Sequence, residues 1–78
     1  MPWTISAKPS AMTELYRLPR GMAAIVNDAI HDLIGNPTPA HSVPVEGIPD
    51  TYRIEVSGIA VEYQVDHSQQ KIRVLAVY

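Results

Sequence analysis

The chain has 78 residues, 46% of them hydrophobic, and a formal net charge of −2. These values predict one small globular domain spanning 1–78, because a disordered chain carries fewer apolar residues and more net charge. The negative balance excludes a broad nucleic-acid-binding surface and leaves room only for a small basic patch. The absence of cysteine from the sequence excludes disulfides, thiol catalysis and cysteine-ligated zinc.

Targeting signals and membrane segments are not evident in the sequence. No apolar run reaches the length of a membrane span, and the first residues lack the basic and apolar regions of a secretory signal. We therefore expect a cytoplasmic protein without a membrane partner.

The N-terminal segment predicts a strand followed by a short helix. Apolar and polar residues alternate over 3–7, which favours a strand that Pro9 ends. Ser10 is the predicted N-cap of a helix over 11–18, and Pro19 ends that helix because it disfavours helical geometry in the residue before it.

A second helix is predicted over 22–34 from a continuous apolar stripe with helical spacing. The stripe consists of Met22, Ile25, Val26, Ala29, Ile30, Leu33 and Ile34. Gly35 and Asn36 are stop residues, and the short connection at 19–21 makes the two helices an antiparallel hairpin.

The C-terminal half predicts a sheet. A proline-rich loop over 37–49 contains one short edge strand near 43–45. Three strands with a period of two then follow, over 52–56, 59–65 and 71–78, and form an antiparallel meander. The predicted fold is α+β, in the order β-α-α-β-β-β, with an antiparallel sheet packed on an N-terminal helical hairpin.

One face of the predicted sheet is polar, and an antiparallel sheet can expose one face to water. This face contains Arg53, Glu55, Glu62, Gln64 and Arg73. It is either a solvated surface or a ligand-binding surface. The end of the last strand differs, since Leu75 and Val77 make both of its faces apolar there. We expect these two residues to be covered by another chain.

Several short sequence motifs occur together in one order along the chain. A first helix ends in Leu18-Pro19, and Gly47 precedes Tyr52-Arg53-Ile54. Val61-Glu62-Tyr63-Gln64-Val65-Asp66 and an apolar final strand follow. This order resembles the RelE/ParE toxin superfamily of bacterial type II toxin–antitoxin systems, which includes plasmid-stabilisation proteins.

The resemblance implies a RelE-like fold and a cognate antitoxin protein as partner. RelE-like members inhibit translation by ribosome-dependent cleavage of mRNA, whereas ParE-like members act on DNA gyrase. The ribosome with its mRNA and gyrase are therefore the two candidate targets. A homodimer is left open.

The family's RNA cleavage depends on Lys, Arg and Tyr side chains. The matching candidates for catalysis are Arg53, Arg73 and Tyr63, although the spacing of Tyr63 also fits a core residue. Other positions that are basic in active members hold Glu46, Glu55 and Ala60 here. Active members also have a basic and an aromatic residue beyond the last strand, and the sequence, which ends at Tyr78, contains no counterpart of them. We expect weak or lost nuclease activity, and whether the chain is an enzyme stays open.

Four alternatives accompany this interpretation. The first is RNA cleavage by a rearranged set of Arg53, His67 and Arg73. The second is inhibition of gyrase. The third is a protein-binding member without catalysis, which binds its partner through the helical hairpin or through the sheet edges near 3–7 and Val43. The fourth is a decayed or orphan member that keeps the fold without an activity. The three histidines have no ligand spacing, so no metal or cofactor is expected.

Overall fold

The computed structural model describes residues 3–78. Met1 and Pro2 lie outside the described residues. They begin the N-terminal segment that was expected to carry no secretory signal. The elements are β1 (Thr4–Ala7), α1 (Pro9–Arg17), α2 (Arg20–Asp32), β2 (Val43–Pro44), β3 (Thr51–Val56), β4 (Ile59–Asp66) and β5 (Lys71–Val77). The strands form one sheet in the order β1-β5-β4-β3-β2. The predicted α+β fold and its order of helices and strands are confirmed, and the short edge strand predicted near 43–45 is present as β2.

The sheet is mixed, which corrects the prediction of an antiparallel sheet. The strands from β2 to β5 are antiparallel to their neighbours, but β1 runs parallel to β5, with Thr4 opposite Lys71 and Ala7 opposite Val74. The helical hairpin and three strands separate β1 from β5 in the chain, so their pairing requires a crossover connection and not a tight turn.

The helices begin earlier than predicted. Pro9 occupies the first turn of α1 and Lys8 is its N-cap, without a side-chain cap hydrogen bond. Ser10 is therefore not the N-cap, because proline is already suited to the first helical position, where its missing N–H costs nothing. Pro19 ends α1 as predicted, and Leu18 is extended with φ −69° and ψ 150°. Among residues 3–78, no helix is long and apolar enough to cross a membrane.

The core lies between the helices and one face of the sheet. Its buried residues are Ala11, Leu15, Val26, Ile30, Leu33, Ile54, Val61, Tyr63, Val65, Ile72, Val74 and Val77. The predicted stripe of α2 is only partly buried, because Ile25 remains 49% exposed and Ile34 37% exposed.

A β-bulge in β5 decides which residues at its end enter the core. Glu62 pairs with Ala76 and Tyr63 with Val74, so Leu75 is the extra residue between the two pairs. An extra residue reverses the alternation of side chains beyond it. Val77 is consequently buried, at 3% exposure. The prediction that another chain covers Val77 is wrong, since the chain's own core covers it.

The turn between β3 and β4 follows the prediction. Ser57 and Gly58 both have positive φ, 51° and 82°. A two-residue hairpin turn with two positive φ angles matches the twist of the strands that it joins. It fixes the register in which Arg53 lies opposite Glu62.

Candidate functional site

The open face is the side of the sheet turned away from the helices. Paired residues of neighbouring strands share a face, and alternate residues of a strand do so too. The charged and amide side chains of the open face are Arg53, Glu55, Glu62, Gln64, Asp66, Lys71 and Arg73. It contains the five polar residues that were predicted to share one face.

Acidic and basic charges are balanced on the open face. Arg53 lies directly opposite Glu62, and Lys71 lies opposite Asp66. Arg73 has the neutral Gln64 as its neighbour, and the third acidic residue is Glu55. A surface that depends on phosphate contacts has an excess of positive charge. The open face as a whole lacks that excess, so only individual cations on it are suited to an anionic ligand.

Glu62 is hydrogen-bonded to Tyr78. The Tyr78 hydroxyl donates a hydrogen bond of 2.6 Å to Oε2 of Glu62. Backbone hydrogen bonds between Tyr78 and Ala60 hold the tyrosine beside β4. Within residues 3–78 the one ion pair joins Arg17 to Glu14, at 3.0 Å on α1. Arg53 therefore has no acidic partner among the described residues.

The turn after β4 organises Asp66. Its Oδ1 accepts hydrogen bonds from the Ser68 hydroxyl at 2.7 Å and the Gln69 amide at 3.0 Å. Both bonds lower the pKa of Asp66, and the bond from Ser68 has the largest effect. The positive charge of Arg73 also lowers this pKa, but by less. The neighbouring His67 ring meets the Trp3 ring edge-on, with centroids 5.8 Å apart.

Tyr63 is separated from the two candidate arginines. Its side chain is fully buried on the helix-facing side of the sheet, which confirms the alternative placement in the core. Its hydroxyl donates a 2.6 Å hydrogen bond to the Pro37 carbonyl, and burial raises its pKa. Arg53 and Arg73 lie on the open face, diagonally across β4, with Cα atoms about 12 Å apart by strand geometry. The structure thus brings the arginines to one face and leaves Tyr63 on the other.

A cleft lies at one edge of the open face. It has a volume of about 250 Å³ and is lined by His41, Val43, Arg53 and Glu55. Sequence reasoning selected the two β3 residues but missed His41 and Val43 as their neighbours. The predicted edge strand near Val43 was the one available signal, because its pairing with β3 brings these residues together.

An apolar groove lies on the other side of the sheet. It has a volume of about 400 Å³ and lies between α1, α2 and the strands β1 and β5. Ala11, Leu15 and Ile30 line it from the helices, and Val74 and Val77 from β5. β1 ends opposite Val74, so the last residues of β5 have no strand beside them on this side within the described sheet.

Metal binding has no support in the described part of the chain. Among residues 3–78, no group of three or more His, Asp or Glu side chains is placed to hold a metal ion.

Comparison with known proteins gives likenesses of structure and not of sequence. No protein-family model and no curated protein sequence matches the chain. The archaeal RelE–RelB complex from Pyrococcus horikoshii OT3 is similar with a TM-score of 0.85 and 21% identity, covering 99% of this chain and 93% of that one. The intact E. coli RelBE toxin–antitoxin complex gives 0.84 and 22%, covering 96% and 93%.

A third solved structure extends the comparison beyond RelE. The YoeB/ParE toxin from Agrobacterium tumefaciens has a TM-score of 0.81 and 17% identity, covering 95% of this chain and 94% of that one. These likenesses show that the chain has the RelE/ParE-like toxin fold, which confirms the resemblance at the level of the fold.

Proposed function

We propose that this chain is the toxin component, or a catalytically degenerate homologue, of a type II toxin–antitoxin system, with a cognate antitoxin as its partner. The observation that carries the proposal is the likeness of fold over almost the whole chain. The similar structure from E. coli is described as a RelBE toxin–antitoxin complex, and the one from Pyrococcus horikoshii as a RelE–RelB complex. Because fold alone does not determine an activity, the activity has to be inferred from the side chains of the open face.

The open face supports weak or lost RNA cleavage. Attack of a ribose 2′-hydroxyl on phosphate builds negative charge that the site must stabilise. Removing one stabilising group from such a site costs about 3–4 kcal/mol. Here Glu55 and Ala60 stand at two matching basic positions, and three acidic residues balance three basic ones. Arg53 and Arg73 are the residues that remain for contact with RNA.

Protein binding has two structural supports. β1 and β2 are the edge strands of the described sheet, and an exposed edge is a template for an added strand. The apolar groove lies next to the part of β5 that β1 does not cover. An antitoxin segment that pairs with this edge places alternate apolar side chains in the groove.

Inducible expression in a bacterial host tests the proposal. Growth, pulse-labelled protein synthesis and pulse-labelled DNA synthesis are followed for the unmodified chain and for Arg53→Ala and Arg73→Ala. Arg20→Ala on α2 is the matched control, because it removes the same charge far from the open face. We expect at most weak inhibition of protein synthesis, relieved by the two open-face variants and unchanged in the control.

The outcomes separate the activities. A rapid, complete stop of protein synthesis contradicts the loss of nuclease activity. Normal growth with folded protein supports a non-catalytic member, and co-expression with the product of the adjacent gene then tests for a stable complex.

Gyrase inhibition is the second candidate function. It is favoured by the likeness to the YoeB/ParE toxin and by a balanced open face, because inhibition by binding requires no set of catalytic cations. A DNA supercoiling assay with purified gyrase separates the two activities. Loss of supercoiling with normal translation supports this candidate.

A further inference from the structure

Four side chains from β3, β2 and the turn before β2 line the cleft at the edge of the open face. Val43 of β2 lies directly opposite Arg53 of β3. His41 lies two residues before Val43, Glu55 lies two residues after Arg53, and all four line the same cleft of about 250 Å³. Val43 and Arg53 share one face as an antiparallel pair, and Glu55 lies on the same face two residues further along β3. His41 lies in the turn before β2 and contributes to the site as a lining residue of the cleft.

The two charged residues of the cleft are free to bind a ligand. Glu62 is opposite Arg53, but its carboxylate is held by Tyr78. Glu55 lies opposite Ala60, which offers no polar group. Within residues 3–78 neither Arg53 nor Glu55 forms an ion pair, and both are exposed. The cleft therefore presents a fork of donors and a carboxylate acceptor, with Cα atoms about 7 Å apart along the strand.

A ligand for this cleft needs acceptors for Arg53, two donors for Glu55 and flat apolar faces for Val43 and His41. Guanine has these groups on adjacent edges: O6 and N7 accept from an arginine fork, and N1–H and the N2 amino group donate. Adenine presents the N1 acceptor where the carboxylate needs a donor. The ring of His41 and the methyl groups of Val43 offer surfaces on which a base stacks or packs.

We propose that the cleft of His41, Val43, Arg53 and Glu55 binds a guanine base. The inference goes beyond the proposed function and requires neither an antitoxin nor RNA cleavage. Guanine reaches the cleft either as a free nucleotide or within single-stranded RNA. In the second case, Lys71 and Arg73 on the same face attract the neighbouring phosphates.

The test is a titration of the full chain with GMP, IMP, AMP, CMP and UMP, in which NMR follows the Val43 methyl groups and the backbone amides, including those of Lys71 and Arg73. We expect GMP to bind at least about fivefold more tightly than AMP, since a good bidentate pair discriminates to that degree or more. IMP lacks the N2 amino group and is expected to fall between them.

Variants then assign the preference to the cleft. Glu55→Gln, at an exposed strand position, is expected to abolish the preference for GMP over AMP and to leave the thermal midpoint unchanged. Asp28→Asn is the matched control, because it removes one negative charge on the exposed side of α2 and is expected to retain the preference.

The source of the base is resolved with two RNA pentamers, four uridines around a central guanosine or adenosine. Tighter binding of the guanosine pentamer than of GMP, lost in Arg73→Ala, assigns the cleft to RNA. Equal affinity assigns it to a free nucleotide. Equal affinities for GMP and AMP, shifts confined to Lys71 and Arg73, or no saturable shift at millimolar nucleotide would each overturn the inference.

Discussion

The hydroxyl of Tyr78 donates a 2.6 Å hydrogen bond to Glu62, and Glu62 is the residue directly opposite Arg53. The carboxylate that would otherwise neutralise Arg53 is thus directed toward the end of the chain. Arg53 keeps its charge available at the edge of the open face. This contact joins the end of β5 to the centre of the sheet and shapes the charge pattern that a ligand meets.

Tyr78→Phe removes this hydrogen bond and is expected to change stability only slightly. Both partners are exposed to water, so the free energy of unfolding should fall by no more than about 1 kcal/mol. Urea unfolding measures the change, with Tyr16→Phe on the exposed side of α1 as control. A loss above about 2 kcal/mol would show that the contact stabilises the sheet itself.

Tyr63→Phe tests the buried hydroxyl. The partly buried Pro37 carbonyl loses its 2.6 Å donor, and the free energy of unfolding should fall by about 1 kcal/mol, the typical net contribution of one hydrogen bond. Tyr52→Phe is the control, because Tyr52 is half-buried beside Tyr63, with ring centroids 6.0 Å apart. Equal stability of Tyr63→Phe and the unmodified protein would contradict the placement of this hydroxyl.

Alkaline pH is expected to destabilise the fold through Tyr63. Burial raises its pKa above the ordinary value of 10.0. Above pH 10.0 the unfolded chain loses this proton before the folded chain does, so stability falls as pH rises from there through the raised pKa. Urea midpoints from pH 8 to 11 should decline more steeply for the unmodified protein than for Tyr63→Phe. Parallel declines would count against the raised pKa.

Ser68→Ala is expected to raise the pKa of Asp66 toward its ordinary value of 3.8, because the Ser68 hydroxyl is the main cause of its lowering. The stability that this carboxylate contributes is present above pH 3.8 and is lost as pH falls through its lowered folded-state pKa. NMR titration of the Asp66 side chain measures the shift. Ser10→Ala on α1 is the control, and an unchanged Asp66 pKa in Ser68→Ala would refute the assignment.

From the β-bulge in β5 we expect the smaller of two side chains, Val77 and not Leu75, to contribute more to stability. Val77→Ala should lower the free energy of unfolding by about 1.5–3 kcal/mol, because it truncates a buried side chain. Leu75→Ala removes a larger side chain but should cost less, since Leu75 is only half-buried. The reverse order in chemical denaturation would place the extra residue of the bulge elsewhere.

Local periodicity was enough to predict most elements. The alternation around Arg53 placed it correctly on a polar face, and Ser57-Gly58 indicated the hairpin turn because Gly58 tolerates the positive φ that such a turn requires. The apolar stripe of α2 identified the helix but overstated its burial, since Ile25 and Ile34 stay exposed.

Pairing between distant segments was beyond local pattern. The alternation of β1 shows that it is a strand but does not identify β5 as its parallel partner. The bulge was equally hidden, because Leu75, Ala76 and Val77 are all apolar and no polar residue marks the change of face.

The candidate site was predictable only where alternation defines it. Arg53 and Arg73 share the open face because each lies at a polar position of its strand. His41 and Val43 were missed as their neighbours, because the prolines around them predict a loop and conceal the pairing of Val43 with Arg53. His41 lies in the turn before β2, where alternation assigns no face.

The first strand of this protein is completed by the last one. β5 lies between β1 and β4, so during synthesis β1 has no partner until residues 71–77 have left the ribosomal exit tunnel. Until then the helices lack part of the surface that buries their apolar sides. We therefore expect a chain truncated before Lys71 to leave β1 unpaired and the apolar sides of the helices partly exposed, and so to be more open to proteolysis than a chain that includes β5.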